Sequence, residues 1–408
     1  MPLGKLVIAL ALVVTMGGGA LAQSPIPSAP PSNPVQDHYR AYRAALEGGN
    51  PALAEIEAAA ALDASLARDG EGGRTAVLAL NLALVRLDQN RAASAQEPAR
   101  LAHAISASRG DSTGVDPVAA QLVVARADAM ADQSTQPSAQ ALAQLRAQFT
   151  GALASADGRA DLASVRHASA RAIGDWGLRR RQFATARLAW AQAAELANGE
   201  TFDDRLARGE ARIGEGIAIL SEARERERVA GGVNVEAYVA ARGAFAEASG
   251  VLYALVREQP RVVRFSQVDI AYATAVGWRS LVRAIAQSTH FRVWRRLYGE
   301  DQTQSGSGGS EAQQPCVFAY RVRATPLPEF PTDAIFDGRI GVVVVRLLLN
   351  DTGGIDDRRI AVALPEGSFR RSVESVFDRW TVAPAPNVVN ACGTDRVLFL
   401  PIVFSYPR

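Results

Sequence analysis

Glu329 to Asp357 reads EFPTDAIFDGRIGVVVVRLLLNDTGGIDD. A proline turn, a run of β-branched and aliphatic residues and a glycine-rich reversal follow one another here, after a long alanine-rich stretch with helical periodicity. RIGVVVVRLLLN predicts a strand of about ten residues, reversed at Gly353-Gly354, with GIDDRRIAVAL returning beside it. Such continuous hydrophobicity suits a strand covered on at least one face and flanked on both edges.

The next segment, EGSFRRSVESVFDRW, predicts a helix whose apolar face is Phe369, Val373, Val376, Phe377 and Trp380. Glu366 near its start and Arg379 near its end suit the helix dipole. VAPAP stops it, and RVLFLPIVFSYP supplies a third strand, so the order is ββαβ with the helix on one face of the sheet. Pro401 lies in that last strand and has no amide hydrogen to give to a ladder, which predicts an edge strand with its nitrogen outward. By the alternation of a strand, Val397, Phe399 and Val403 then turn their backbone groups to solvent, while Leu398, Leu400, Ile402 and Phe404 bond inward. An open edge invites another chain to add a strand.

The pair Phe330-Pro331, the strand Gly341 to Val345, the reversal Asp351 to Ile355, the helix Phe369 to Trp380 and the closing Pro401 to Phe404 together resemble the carboxy-terminal domain of the TonB energy-transducer family. The resemblance implies a periplasmic domain that grips a short segment of an outer-membrane receptor by strand addition. It also implies that this segment lies along Arg396 to Phe404, near the Phe330-Pro331 turn. The expected partner-binding residues are Phe330, Pro331, Arg396, Val397, Phe399, Pro401 and Val403. The same edge in a second copy offers a route to a dimer through the carboxy-terminal domain.

Upstream, Asp37 to Tyr298 is helical in pattern. TAVLALNLALVRL sets Val77, Leu80, Leu84 and Leu87 on one stripe, and turn signals fall at EGGNP, RDGEGG, SRGDSTGVDP and ADGRAD. Short loops between such segments predict antiparallel helix pairs. Small and large residues recur in register: Gly174, Phe183, Ala186, Trp190 and Ala193 in one pair, and Ala83, Ala92, Ala95, Ala99 and Ala102 in another. This resembles the tetratricopeptide repeat, with its stacked pairs of about 34 residues. The expected fold is therefore multidomain, an all-α TPR-like array followed by a small α+β TonB-like domain. Its expected segments are a signal peptide at 1–22, a Pro-rich disordered leader at 23–36, the helical domain at 37–298, a Gly/Ser/Gln linker at 299–314 and the terminal domain at 315–408.

The amino terminus carries Lys5, an apolar run from Leu6 to Met16 and a small-residue site at Ala20-Leu21-Ala22, the layout of a secretory signal peptide. Cleavage predicts a periplasmic protein. Retention would make it an inner-membrane anchor, the one route expected to membrane contact. Lys5 is the only lysine, so neither a GK[ST] phosphate loop nor a Schiff-base lysine is available. A net charge of +2 over 408 residues gives no footprint for nucleic acid. Cys316 and Cys392, both in the last module, suit a disulfide in an oxidising compartment or two unpaired small hydrophobes.

No catalytic constellation is legible, and no cofactor or metal is expected. His38, His103, His167 and His290 fall in separate helical segments without ligand spacing. Asp356-Asp357 reads as a solvated turn, LRRRQF (Arg179 to Arg181) as a solvated helix end and RERER (Arg224 to Arg228) as an exposed helix face. GSGGS is a linker, and Trp294 with Tyr298 closes the array. The expectation is a non-enzymatic envelope protein that docks an outer-membrane receptor segment or another envelope protein. The alternative is an energy transducer with an uncleaved anchor.

Overall fold

The computed structural model describes residues 33–133, 137–258, 267–289, 320–324, 326–350, 354–384 and 397–405. Among them an all-α array of eleven helices precedes a small α+β domain with two open sheets. The chain divides into two compact units, Met1–Ile173 and Gly174–Arg408. The linker expected at 299–314 lies outside the described residues. The boundary between the two units falls within a helix, and in the second unit the last helices of the array share a core with the sheet.

The first unit holds α1 (Pro34–Glu47), α2 (Pro51–Asp69), α3 (Gly73–Asp88), α4 (Ala92–Arg109), α5 (Pro117–Ala131), α6 (Ala139–Ser155) and the start of α7 (Ala163–Arg179). Helix α1 begins three residues inside the expected leader, because Pro34 at the first helical position lacks only an amide that a helix start leaves unpaired anyway. Asn50, Asp116 and Ser138 cap α2, α5 and α6 by accepting from Leu53 N (3.1 Å), Val118 N (2.7 Å) and Ala141 N (3.1 Å). The four expected turn signals all fall at helix breaks.

Cross-helix bonds fix the direction of pairing. Ser65 meets Thr75 at 3.0 Å, Arg86 donates to Glu55 at 3.0 Å, and Gln89 donates to the Pro51 carbonyl at 3.0 Å. As the α3 number rises the α2 number falls, so the two run antiparallel. Within α3 the buried apolar residues are Leu78, Leu82, Val85 and Leu87 with Ala76, Ala79 and Ala83; of the expected stripe of Val77, Leu80, Leu84 and Leu87, only Leu87 is among them and the other three are partly buried. Helix α3 packs on both α2 and α4, so its small-residue side is covered as well. Pairs start at Pro34, Gly73, Pro117 and Ala163, steps of 39, 44 and 46 residues, longer than the roughly 34 of a tetratricopeptide unit.

In the second unit, α8 (Phe183–Leu196), α9 (Phe202–Ala230), α10 (Val235–Glu258) and α11 (Gln267–Thr289) continue the array. Glycines set the spacing. The Trp190 indole lies where a β-carbon at Gly174 would come within 2.6 Å and one at Gly214 within 2.4 Å. Gly209 faces Leu252, and Gly216 faces Phe245, in the same way. Small residues thus let the axes approach while one large side chain fills each gap. Helices α9 and α10 are tied at one end by Arg205, which donates to both oxygens of Glu258 at 2.8 Å.

The main sheet has the order β3-β2-β5, all antiparallel: β2 (Gly341–Leu349) between β3 (Ile355–Leu364) and β5 (Val397–Phe404). Alternation sorts the β2 side chains. Val342 and Val344 enter the core shared with α11, whereas Val343, Val345, Leu347 and Leu349 enter the opposite core with Phe369, Val373 and Trp380. Both faces are covered, which explains the unbroken apolar run.

Three local expectations need correction. The predicted helix is only α13 (Ser368–Glu374), followed by a 3₁₀ turn at Phe377–Arg379, although Phe369, Val373, Val376 and Trp380 all still reach the core. Two short strands, β1 (Tyr320–Arg323) and β4 (Thr381–Pro384), pair as a second sheet that the proline stop in VAPAP concealed. Asp356 and Asp357 lie within β3 rather than in a turn, where Asp357 accepts from Arg346 at 2.5 Å and pairs with Arg359 at 2.9 Å.

Candidate functional site

Strand β5 is an edge of its sheet: β2 lies on one side, and no strand lies on the other among the described residues. Its register runs from Gly341 opposite Phe404 to Leu348 opposite Val397, with Val344 opposite Pro401. Pro401 has no amide hydrogen, so its nitrogen faces away from β2, and Val397, Phe399 and Val403 share that outward parity. The side chains are placed differently from the backbone. Phe399 and Val403 pack on the cluster that includes α11, and Pro401 lies against Gly277 of that helix. Strand addition along β5 would therefore act through main-chain groups, the side chains on this face being engaged already.

Phe330 is held from below. Its ring stands edge-on to Phe369 (5.7 Å, 88°) and to Phe404 (6.0 Å, 75°), and those two rings lie 4.8 Å apart. Trp380 Nε1 donates to the Pro326 carbonyl at 2.9 Å, and Ser372 Oγ to the Glu329 carbonyl, which ties down the segment before Pro331. Pro331 precedes α12 (Thr332–Phe336), so the Phe330-Pro331 turn fixes the entry to β2 beside the Phe404 end of β5. Leu327 and Phe336 are exposed beside it, an apolar fringe that the sequence reading missed. Arg396, Cys316 and Cys392 lie outside the described residues, as do His290, Trp294 and Tyr298.

The remaining candidates separate. His38 pairs with Glu57 at 2.7 Å, and His103 Nδ1 meets the Pro117 carbonyl at 3.2 Å. No group of three or more His, Cys, Asp or Glu is arranged to hold a metal ion among the described residues.

The two arginine-rich motifs, by contrast, converge. Arg179 and Arg181 line one cavity of about 960 Å³ together with Arg224 and Arg228. The RERER segment is thus only partly solvated, with Arg224 and Glu227 largely covered, because its inner face turns to Tyr238. Burial is the main cause that pushes the Tyr238 phenol well above its usual value. Trp278 and Arg339, which also line the cavity, carried no motif in the sequence, being brought there from separate elements.

No protein-family model matches this chain, and no curated protein matches it in sequence.

Proposed function

We propose that the chain is a non-enzymatic envelope protein of a Gram-negative bacterium, a TPR-like helical scaffold whose TonB-like domain docks a partner segment as an extra strand along β5. The supporting observation is the position of β5 at the end of the order β3-β2-β5, with no strand on its outer side among the described residues. An added strand would gain main-chain hydrogen bonds from the outward groups of Val397, Phe399 and Val403. The proposed occupant is a short extended segment of an outer-membrane receptor, met in the periplasm after signal-peptide removal.

The test is titration of the full-length mature protein with a labelled peptide from the periplasmic face of such a receptor, read by fluorescence anisotropy and by amide chemical shifts. Shifts concentrated along 397–404 support the reading. Saturable binding that leaves those amides unmoved, or binding retained after removal of residues 315–408, overturns it.

A second reading is an energy transducer held in the inner membrane. By length and composition alone, α10 is long and apolar enough to cross a bilayer. Its Tyr238, Phe245, Leu252 and Leu255 are nevertheless buried in the core of the second unit, so the anchor in this reading is the uncleaved amino-terminal segment. Mass spectrometry of the mature amino terminus separates the two readings. A start at Gln23 eliminates the transducer, and an intact Met1 in the membrane fraction eliminates the secreted form.

A further inference from the structure

Asn198 and Gly199 lie in the loop between α8, which ends at Leu196, and α9, which starts at Phe202. Asn198 is exposed, and neither its side-chain amide nor the Gly199 N–H has a hydrogen-bond partner among the described residues. The glycine is required by packing. A β-carbon on it would come within 2.1 Å of Asp204 Oδ2, the oxygen that accepts from Thr201 Oγ1 at 2.5 Å. Thr201 Oγ1 in turn accepts from Asp204 N at 3.2 Å and caps α9. The cap of α9 therefore seats against the bare Cα of Gly199.

That seating leaves an electrophile beside an unhindered nucleophile, the Asn198 side-chain carbonyl and the Gly199 nitrogen. Asn198 is the only asparagine in the chain that precedes a glycine. Several others are held back. Asn33 and Asn50 precede prolines, which have no N–H. The amide after Asn90, that of Arg91, donates to the Arg86 carbonyl at 2.8 Å. Asn234 precedes the β-branched Val235 and its Oδ1 accepts from Ala237 N at 3.2 Å. An exposed loop, unlike a helix or a strand, lets its backbone rotate to bring the Gly199 nitrogen to Asn198 Cγ.

We infer that Asn198-Gly199 is a site of spontaneous covalent modification, at which water converts the asparagine to isoaspartate and aspartate. The Gly199 N–H gives its proton to hydroxide, and the nitrogen forms a bond to Asn198 Cγ. The Cγ–Nδ2 bond breaks, and the leaving group takes a proton from water and departs as ammonia, which leaves a five-membered succinimide. Water then adds to one of the two ring carbonyls, and the bond from that carbon to the Gly199 nitrogen breaks. Opening at the main-chain carbonyl of residue 198 gives isoaspartate, whose backbone runs through Cβ and Cγ. Opening at Cγ gives aspartate. One water is consumed, one ammonia is released, and nothing is oxidised or reduced.

The experiment incubates the full chain at neutral and at mildly alkaline pH and follows the tryptic peptide of residues 188–205, in which Asn198 is the only asparagine. That peptide is expected to gain the mass of an amide-to-acid change and to split into two chromatographic forms, one of them a substrate for an isoaspartate O-methyltransferase. The gain should be faster at the higher pH, because the attacking nitrogen must first lose its proton. In the folded chain it should run at no less than about a tenth of its rate in guanidinium, since exposed loops are little protected. Asn198→Ser should abolish it. Circular dichroism verifies that this variant is folded, and fragmentation of the wild-type peptide locates the new acid if it is not. An unchanged peptide, a mass gain located at Gln192, or a folded-state rate below that limit overturns the inference.

Discussion

Gly277 of α11 lies directly against Val342 of β2: a β-carbon on this glycine would come within 2.6 Å of Val342 Cγ1 and 3.0 Å of Pro401 Cβ. The helix therefore rests its backbone on the sheet, over the seam between the central strand and the edge strand. Any side chain there would lift the helix from both.

Gly277→Ala is accordingly expected to destabilise, although alanine ordinarily favours a helix interior over glycine by about 1 kcal/mol. Overpacking at a buried contact costs about 1–3 kcal/mol, which outweighs that gain. Urea denaturation should show a lowered midpoint, and Val342→Ala in the same chain should recover part of it. A midpoint raised by Gly277→Ala would show that α11 does not lie this close.

Trp190 makes the same kind of test inside the array. Its indole fills the gap between Gly174 and Gly214, so Gly214→Ala should lower stability by about 1–3 kcal/mol. Gly243, beside which a β-carbon meets nothing within 4 Å, is the control. Gly243→Ala should be neutral or stabilising by a few tenths up to about 1 kcal/mol. Thermal denaturation of the two variants side by side tests the difference in sign.

Asp116 gives a pH dependence. Burial tends to raise its pKa, but the Arg159 guanidinium at 2.5 Å and the amides of Val118 and Ala119 outweigh it and hold the carboxyl below its usual value. A depressed folded pKa means that the carboxylate contributes stability above its unfolded value, about 3.9, and loses that contribution as pH falls through the folded one. Asp116→Asn can still cap the helix but carries no charge. Wild type should be the more stable at pH 7, with the gap closing towards pH 2. Denaturant midpoints at the two pH values measure it, and a gap that widens on acidification contradicts the assignment.

The parity of β5 is open to a direct comparison. Ile402 pairs with Val343 and turns its amide inward, whereas Val403 has the outward parity of Pro401. Ile402→Pro should destabilise by about 1–3 kcal/mol through an unsatisfied partner on β2. Val403→Pro should leave the fold nearly intact while weakening capture of an added strand. Stability and peptide titration on both variants decide the matter, and equal destabilisation would show that Val403 is not at a free flank.

Much of the terminal domain could be read from the chain because its signals are local. The β2 run, the reversal completed by the Asn350–Gly354 hydrogen bonds (2.8 Å each way) and the edge position of a strand containing Pro401 follow from propensity and from a missing amide. The helix breaks were legible for the same reason, since Asn50, Asp116 and Gly70 act on their own neighbours. The short pair β1–β4 was not legible: Tyr320–Arg323 and Thr381–Pro384 are four residues each and are strands only because they meet.

Periodicity, caps and turn residues were enough to establish a helical array ahead of a small mixed domain, because each acts over a few positions along the backbone. They could not say that α11 belongs with the sheet, that Phe399 and Val403 are spent on that helix, or that Trp278 and Arg339 border one void. Those relationships join residues far apart in the chain, and they depend on how closely two surfaces pack, which Gly277 permits. Local preference carries no information about such distances, so these contacts emerged only when the cores closed.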